Sequence, residues 1–240
     1  MSLRQLFPAI ALLAGSIVIA PASAAEGPNG FVDGAYSRIS EDGHDADDLG
    51  LRGSITGHVG PSVALEGGVS YHNTDFGGGL DSDTWLFDGA AVFHGMQGLV
   101  GAGVGYHSVD VANVTVDGTE FGIFGQYYVG PMLTVHAAGL MDDEGEFGLE
   151  GGLAGYLMPN LMIGGRVAYE DAHEATMFAV EAELLPFEAM PVSVFGGFAR
   201  AEEGSHSTDI FSIGLRFYIG SEGTLANRHR TGPSAILSPF

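Results

Sequence analysis

Phe211-Ser212-Ile213-Gly214-Leu215-Arg216-Phe217-Tyr218-Ile219 alternates without a break. Phe211, Ile213, Leu215, Phe217 and Ile219 fall on one face of an extended chain, and Ser212, Gly214, Arg216 and Tyr218 on the other. One face is greasy and the other mixed. The same period of two returns in Phe121, Ile123, Gly125, Tyr127 and Val129, with Gly122, Gln126 and Tyr128 in the interleaved set. From these two stretches outward, twelve segments can be read at 30–40, 49–59, 62–72, 84–94, 98–108, 119–129, 132–141, 147–157, 161–170, 175–185, 191–200 and 209–219. The fold class is all-β. If the weaker segments 84–94 or 175–185 fail to pair, the strand count falls to eight or ten.

The connections between segments are of two alternating kinds. Gly60-Pro61, 95–98, Gly130-Pro131, Met158-Pro159-Asn160 and 186–190 read as tight turns. The others read as longer acidic loops at 41–48, 74–83, 109–118, 142–146, 171–174 and 202–207. Short turns on one rim and longer loops on the other are the pattern of a closed antiparallel transmembrane β-barrel, with the turns and, for an even strand number, both termini in the periplasm. An internal repeat fits one hairpin per unit: 68–75 (GVSYHNTD) is echoed by 103–110 (GVGYHSVD), and 165–169 (GRVAY) repeats the first half. In each copy a tyrosine, Tyr71, Tyr106 or Tyr169, ends the strand on its apolar face, where lipid headgroups would meet the ring.

Composition narrows the function classes. Apolar residues at 45% suffice for a folded core, and the 39 glycines lack the Gly-x-y period of collagen. The net charge of −22, with arginine the only basic residue apart from histidine, excludes a nucleic-acid partner. Without cysteine there is no disulfide, zinc-thiolate site or thiol nucleophile. Residues 1–24 read as a cleaved signal peptide, from Arg4 through the apolar run 6–20 to Ala22-Ser23-Ala24, which leaves 25–220 for the barrel. The segment 221–240 holds Arg228, His229 and Arg230, followed by Pro233 and Pro239, and has no strand period. It reads as a disordered periplasmic tail or, alternatively, as a positive segment that folds into the acidic barrel mouth and limits conduction.

The faces opposite the apolar ones carry Arg52, Glu66, Asp88, Glu150, Arg166, Glu181, Glu183 and Arg216, charges that a wet lumen tolerates better than a dry core. Glu181 and Glu183 share one face, and Arg166 on the preceding strand makes ion pairing their expected use. Gly68, Gly101, Gly103, Gly122, Gly152, Gly164 and Gly197 fall on the same inner faces and would leave space for a narrow passage.

The sequence resembles the bacterial outer-membrane β-barrel class over nearly all of 25–220, most specifically in the last strand. Ser212, Gly214, Phe217 and Ile219 resemble the signal read by the barrel assembly machinery, although here about twenty residues follow it and its final position is Ile219 instead of an aromatic. The resemblance implies the outer membrane as location, its lipid as surroundings and the assembly machinery as a partner during biogenesis. The expected function is a small passive channel that prefers cations, because acidic rims concentrate them; the alternative is a structural or adhesive surface barrel without transport. No catalytic set and no cofactor motif is legible. His44, His72, His107, His173 and His206 each lie near Asp or Glu, so divalent cations at the acidic loops are a further candidate partner. His72 and His107, with a strand between them, cannot share one ion.

Overall fold

The computed structural model describes residues 28–60, 62–112, 114–187, 190–220 and 223–231. The expected signal peptide lies outside them. Twelve strands follow one another: β1 (Asn29–Glu41), β2 (His44–Gly60), β3 (Val63–Asp75), β4 (Asp81–Gly95), β5 (Gly98–Val111), β6 (Val114–Val129), β7 (Leu133–Asp142), β8 (Phe147–Met158), β9 (Leu161–Glu170), β10 (Ala175–Leu184), β11 (Val192–Glu203) and β12 (His206–Ile219). Each pairs antiparallel with its chain neighbours, and β12 pairs with β1 from Ile219↔Gly30 to Thr208↔Glu41, which closes the barrel. Closure satisfies every ladder and leaves no edge, the condition for crossing lipid with strands. No described helix is long and apolar enough to cross a membrane.

The alternation read from the sequence decides which face is which. Phe211, Ile213, Leu215 and Phe217 stand exposed on the outer wall, as do Leu51, Phe87, Val104, Ile123, Leu153 and Val180 on other strands. The interleaved residues are buried and largely polar. A soluble barrel places its apolar face inward; this one is inverted, so the medium outside is hydrocarbon. Tyr36 and Tyr106 stand at the outer border of the apolar band, joined by Trp85, which packs 4.7 Å from Tyr71, and by Phe147, 6.3 Å from Tyr169. Tyr36 and Tyr71 donate from their hydroxyls to Asp47 and Asp83, each at 2.6 Å. Ring in lipid and hydroxyl toward acid is the arrangement of an interfacial girdle.

Of the six expected acidic loops, those at 41–48, 109–118 and 202–207 shrink to two-residue turns, whereas connections of four or five residues remain at 76–80, 143–146 and 171–174. Glu41 pairs with His44 and Glu203 with His206, so most of 41–48 and 202–207 is strand. The reversal at 41–48 is made by Asp42-Gly43 alone, both with positive φ (48° and 83°), as a type I′ hairpin requires. Acidic residues continue the ladders because cross-strand partners compensate them: Arg38 bridges Asp45 at 2.6 Å and Asp47 at 3.6 Å, and Arg200 lies 3.6 Å from Asp209. The outer rim is uneven as a result. β7, β9 and β10 have 10 residues each, close to the roughly 9–11 that a tilted strand needs to cross a bilayer, whereas β2 has 17 and β6 has 16.

At the seam between the first and last hairpins, His206 Nδ1 lies 2.5 Å from Asp42 Oδ2, beyond the girdle. The Asp42 carboxylate raises the His206 pKa above its ordinary value. This contact is therefore fully present below the unperturbed histidine value, about 6.5, and is lost as pH rises through the raised one. In an NMR titration, His206 should show a midpoint above that value, and Asp42→Asn should bring it back; an unshifted midpoint in the parent protein would rule the contact out.

The tail segment is ordered in its described part. Residues Leu225–Thr231 form a short helix, α1, at the end of the barrel where the chain enters and leaves. Leu225, Arg228 and His229 are almost wholly buried, and Leu225 joins Phe31, Tyr156, Met162, Leu185 and Tyr218 in one apolar cluster. Over these residues the disordered reading of the tail is corrected. Seven residues of helix do not hold alone, and it is the barrel mouth that supports them.

Candidate functional site: the charged lumen

All eight charged residues assigned to the inner faces point into the barrel, and the register joins them in a way the sequence does not reveal. Asp33 pairs across to Arg216 on one side and to Arg52 on the other, which sets a carboxylate between two guanidiniums on β12, β1 and β2. Arg216 donates from Nε to Asp33 at 2.9 Å and from a terminal nitrogen to Glu183 at 3.0 Å, and is boxed by the Phe31 and Phe195 rings at 4.8 and 5.0 Å. Glu183 also accepts from the Ser193 and Tyr218 hydroxyls, each at 2.5 Å.

The expected pairing of Arg166 with Glu181 and Glu183 is corrected for Glu183, whose guanidinium partner is Arg216. Arg166 reaches back to Glu150 on β8 at 3.4 Å, and Glu150 is shared with His136 on β7 at 3.4 Å. Glu181, buried, feels both Arg216 and Arg166. Asp88 and Asp33 are the carboxylates acting on Arg52, and Glu66 is buried on β3. Asp33 was missed in the sequence although it shares the inward face of β1 with Phe31 and Ala35. His136, His58 and His94 were missed as well; their positions on inner faces were the available signal.

Three of the inner glycines, Gly68, Gly101 and Gly152, do not leave open space. A Cβ on Gly152 would meet the His136 ring at 2.5 Å and the Gly165 carbonyl at 2.6 Å; one on Gly68 would meet the Asp88 carboxylate at 2.5 Å; one on Gly101 would strike the Phe124 ring. These glycines are sockets in which a neighbour's side chain lies flat against the wall, so the reading of Gly68, Gly101 and Gly152 as free space is corrected. Gly152→Ala should lower barrel stability by about 1–3 kcal/mol through overpacking, because the carbonyl cannot yield as a side-chain tip can. Thermal unfolding followed by the heat-shifted gel mobility of the barrel measures it, and an unchanged midpoint would contradict the socket.

Toward the outer end, a cavity of about 200 Å³ lies against β5–β9, lined among others by Glu120, Glu150, Glu170 and Asp142 with His107 and His173. The histidines pair one by one with carboxylates, His72 with Asp48 at 3.1 Å, His107 with Glu120 at 3.6 Å and His173 with Glu170 at 3.7 Å, so His72 and His107 indeed serve separate partners.

At the inner end, α1 caps one side of the lumen. His229 lies 3.2 Å from the Tyr156 hydroxyl, 2.8 Å from that of Tyr218 and 3.0 Å from Glu183. Arg230 donates to the Gly130 and Leu133 carbonyls at 3.0 and 3.2 Å and covers the Tyr128 ring at 4.7 Å. The Leu225 amide donates to the Pro159 carbonyl at 2.7 Å. The anchor thus runs along the β6–β12 side.

Of the last-strand positions, Ser212 and Gly214 face inward, with the Phe195 ring lying against Gly214, and Phe217 and Ile219 face lipid.

A closed, inverted, twelve-stranded barrel with an aromatic girdle and a charged lumen defines the class: the protein is a β-barrel of the outer-membrane type. No protein-family model and no curated sequence matches the chain. Among solved structures it resembles an outer-membrane channel from Pseudomonas putida F1 (10% identity, 83% of this chain and 98% of that one, TM-score 0.59). It also resembles the translocator domain of the autotransporter NalP from Neisseria meningitidis (11%, 89% and 94%, 0.57) and the KdgM porin, solved in complex with disordered oligogalacturonate (11%, 77% and 98%, 0.53). At these identities the likeness is one of fold.

Proposed function

We propose that the protein is a small passive channel that prefers cations and is narrowed at its inner mouth by α1. The observation that carries this reading is the charge of the inner wall: Arg52, Arg166 and Arg216 are set against Asp33, Glu66, Asp88, Glu150, Glu181 and Glu183, and the outer rim adds further acid with few cations. A wall with surplus carboxylate raises the local cation concentration and repels anions. Two of the structural neighbours are themselves a channel and a porin, which supports the reading without fixing the solute. Under a KCl gradient, the reversal potential of the reconstituted protein should lie toward that of K⁺; a value toward Cl⁻ would contradict the preference.

A second reading, a closed structural or adhesive barrel, is favoured by one observation: Met177, Phe195, Ala199 and Ile210 form an apolar layer inside β10–β12. It predicts silence in the same bilayer, with or without the tail.

A further inference from the structure

On the wall facing the anchored side of α1, a buried histidine meets a partly buried one. His58 on β2 and His94 on β4 have ring centroids 5.7 Å apart, inclined at 49°. The strand between them contributes Ala64, which pairs with His58 and Val92 and is wholly buried, so its small side chain allows the rings to converge over it. The β2–β3 register shifts between His58 and Gly60, a bulge of the kind that re-aims the side chain beside it.

His94 is only 6% exposed, and neither of its ring nitrogens has a hydrogen-bond partner among the described residues; the same holds for Nε2 of His58. A buried imidazole with neither nitrogen bonded, beside a second ring whose Nε2 is also unbonded, is a costly use of buried polar groups unless the two share a ligand. Imidazoles that each reach one ion at about 2.0–2.1 Å have centroids on the order of 5–6 Å apart, which matches the observed spacing. Nitrogen donors suit copper, zinc or nickel and disfavour calcium and magnesium. Glu66, the next inner residue of β3 after Ala64, is also buried on this wall, opposite Thr56 and Ala90.

We propose that His58 and His94 bind one divalent transition-metal cation, making the inner mouth a station for such ions. The station's part in transit rests on the channel reading, whereas the binding itself does not.

The test is calorimetric titration of Cu²⁺ and Zn²⁺ into the purified full-length barrel in detergent, with electron paramagnetic resonance of the copper form. One ion per chain with two nitrogen ligands is expected. His58→Ala and His94→Ala should each weaken it at least tenfold, and His206→Ala, at the exposed rim where Glu41, Asp42 and His206 also converge, should not. Equal affinity in all three variants, or no binding, would overturn the site. Heat-shifted gel mobility verifies that each variant is closed, and should one fail to close, the parent's copper spectrum decides: oxygen ligands alone would refute the assignment. In parallel bilayers, conduction without metal binding would remove the site and keep the channel. Metal binding by a silent barrel would remove the channel and keep the site.

Discussion

Arg216→Met is expected to destabilise the barrel by about 3–5 kcal/mol, the cost of breaking a buried ion pair by removing one partner. The guanidinium is nearly inaccessible and holds Asp33 and Glu183 at once, from β12 to β1 and β10, close to the seam that closes the barrel. Without it two carboxylates remain inside, Glu183 with Ser193, Tyr218 and His229 and Asp33 with Arg52 across β1 and β2. The triple variant Asp33→Asn, Glu183→Gln, Arg216→Met removes the charges together and should recover much of the loss, since neutral replacement of a whole network costs less than its fragmentation. Thermal unfolding in detergent separates the two cases. If the single and triple variants melt alike, the network does not hold the seam.

Deleting 221–240 should open the inner mouth. The segment's described part buries Leu225 and His229 and brings Arg228 and Arg230 to an acidic lumen, so its removal takes away both an obstacle and positive charge. Single-channel conductance should rise on the order of twofold or more, and the preference for cations should strengthen, as expected when steric and electrostatic barriers fall together. His229→Ala, which cuts the link to Glu183, Tyr218 and Tyr156, should move conductance in the same direction by less. An unchanged conductance after deletion would show that α1 does not restrict the passage.

The fold was legible because an inverted barrel writes its two solvents into every second residue. Val180 and Glu181, or Leu215 and Arg216, assign their faces without any knowledge of partners, and twelve segments found this way correspond to the twelve strands. What misled was polarity at the strand ends. Asp45, Asp47 and Asp48 read as loop, yet Arg38 and the Asp42-Gly43 turn keep them in register, and Asp-Gly between two stretches of strand was the available signal. The lumenal charges were legible for the same reason as the strands, but their partners were not. Arg166 meets Glu150 over Gly152, and Arg216 meets Glu183 across β11, because of register and of glycine sockets that depend on which ring lies above them. The helix α1 carries no sequence period of its own and is folded by contacts made 46 and 73 residues away in the chain, to Glu183 and Tyr156.

The most direct test of the central claim is planar-bilayer recording of the purified barrel in KCl. Discrete steps with a reversal potential toward K⁺, larger after removal of 221–240, are predicted. A folded barrel that stays silent with and without the tail would contradict the channel and leave a closed surface protein.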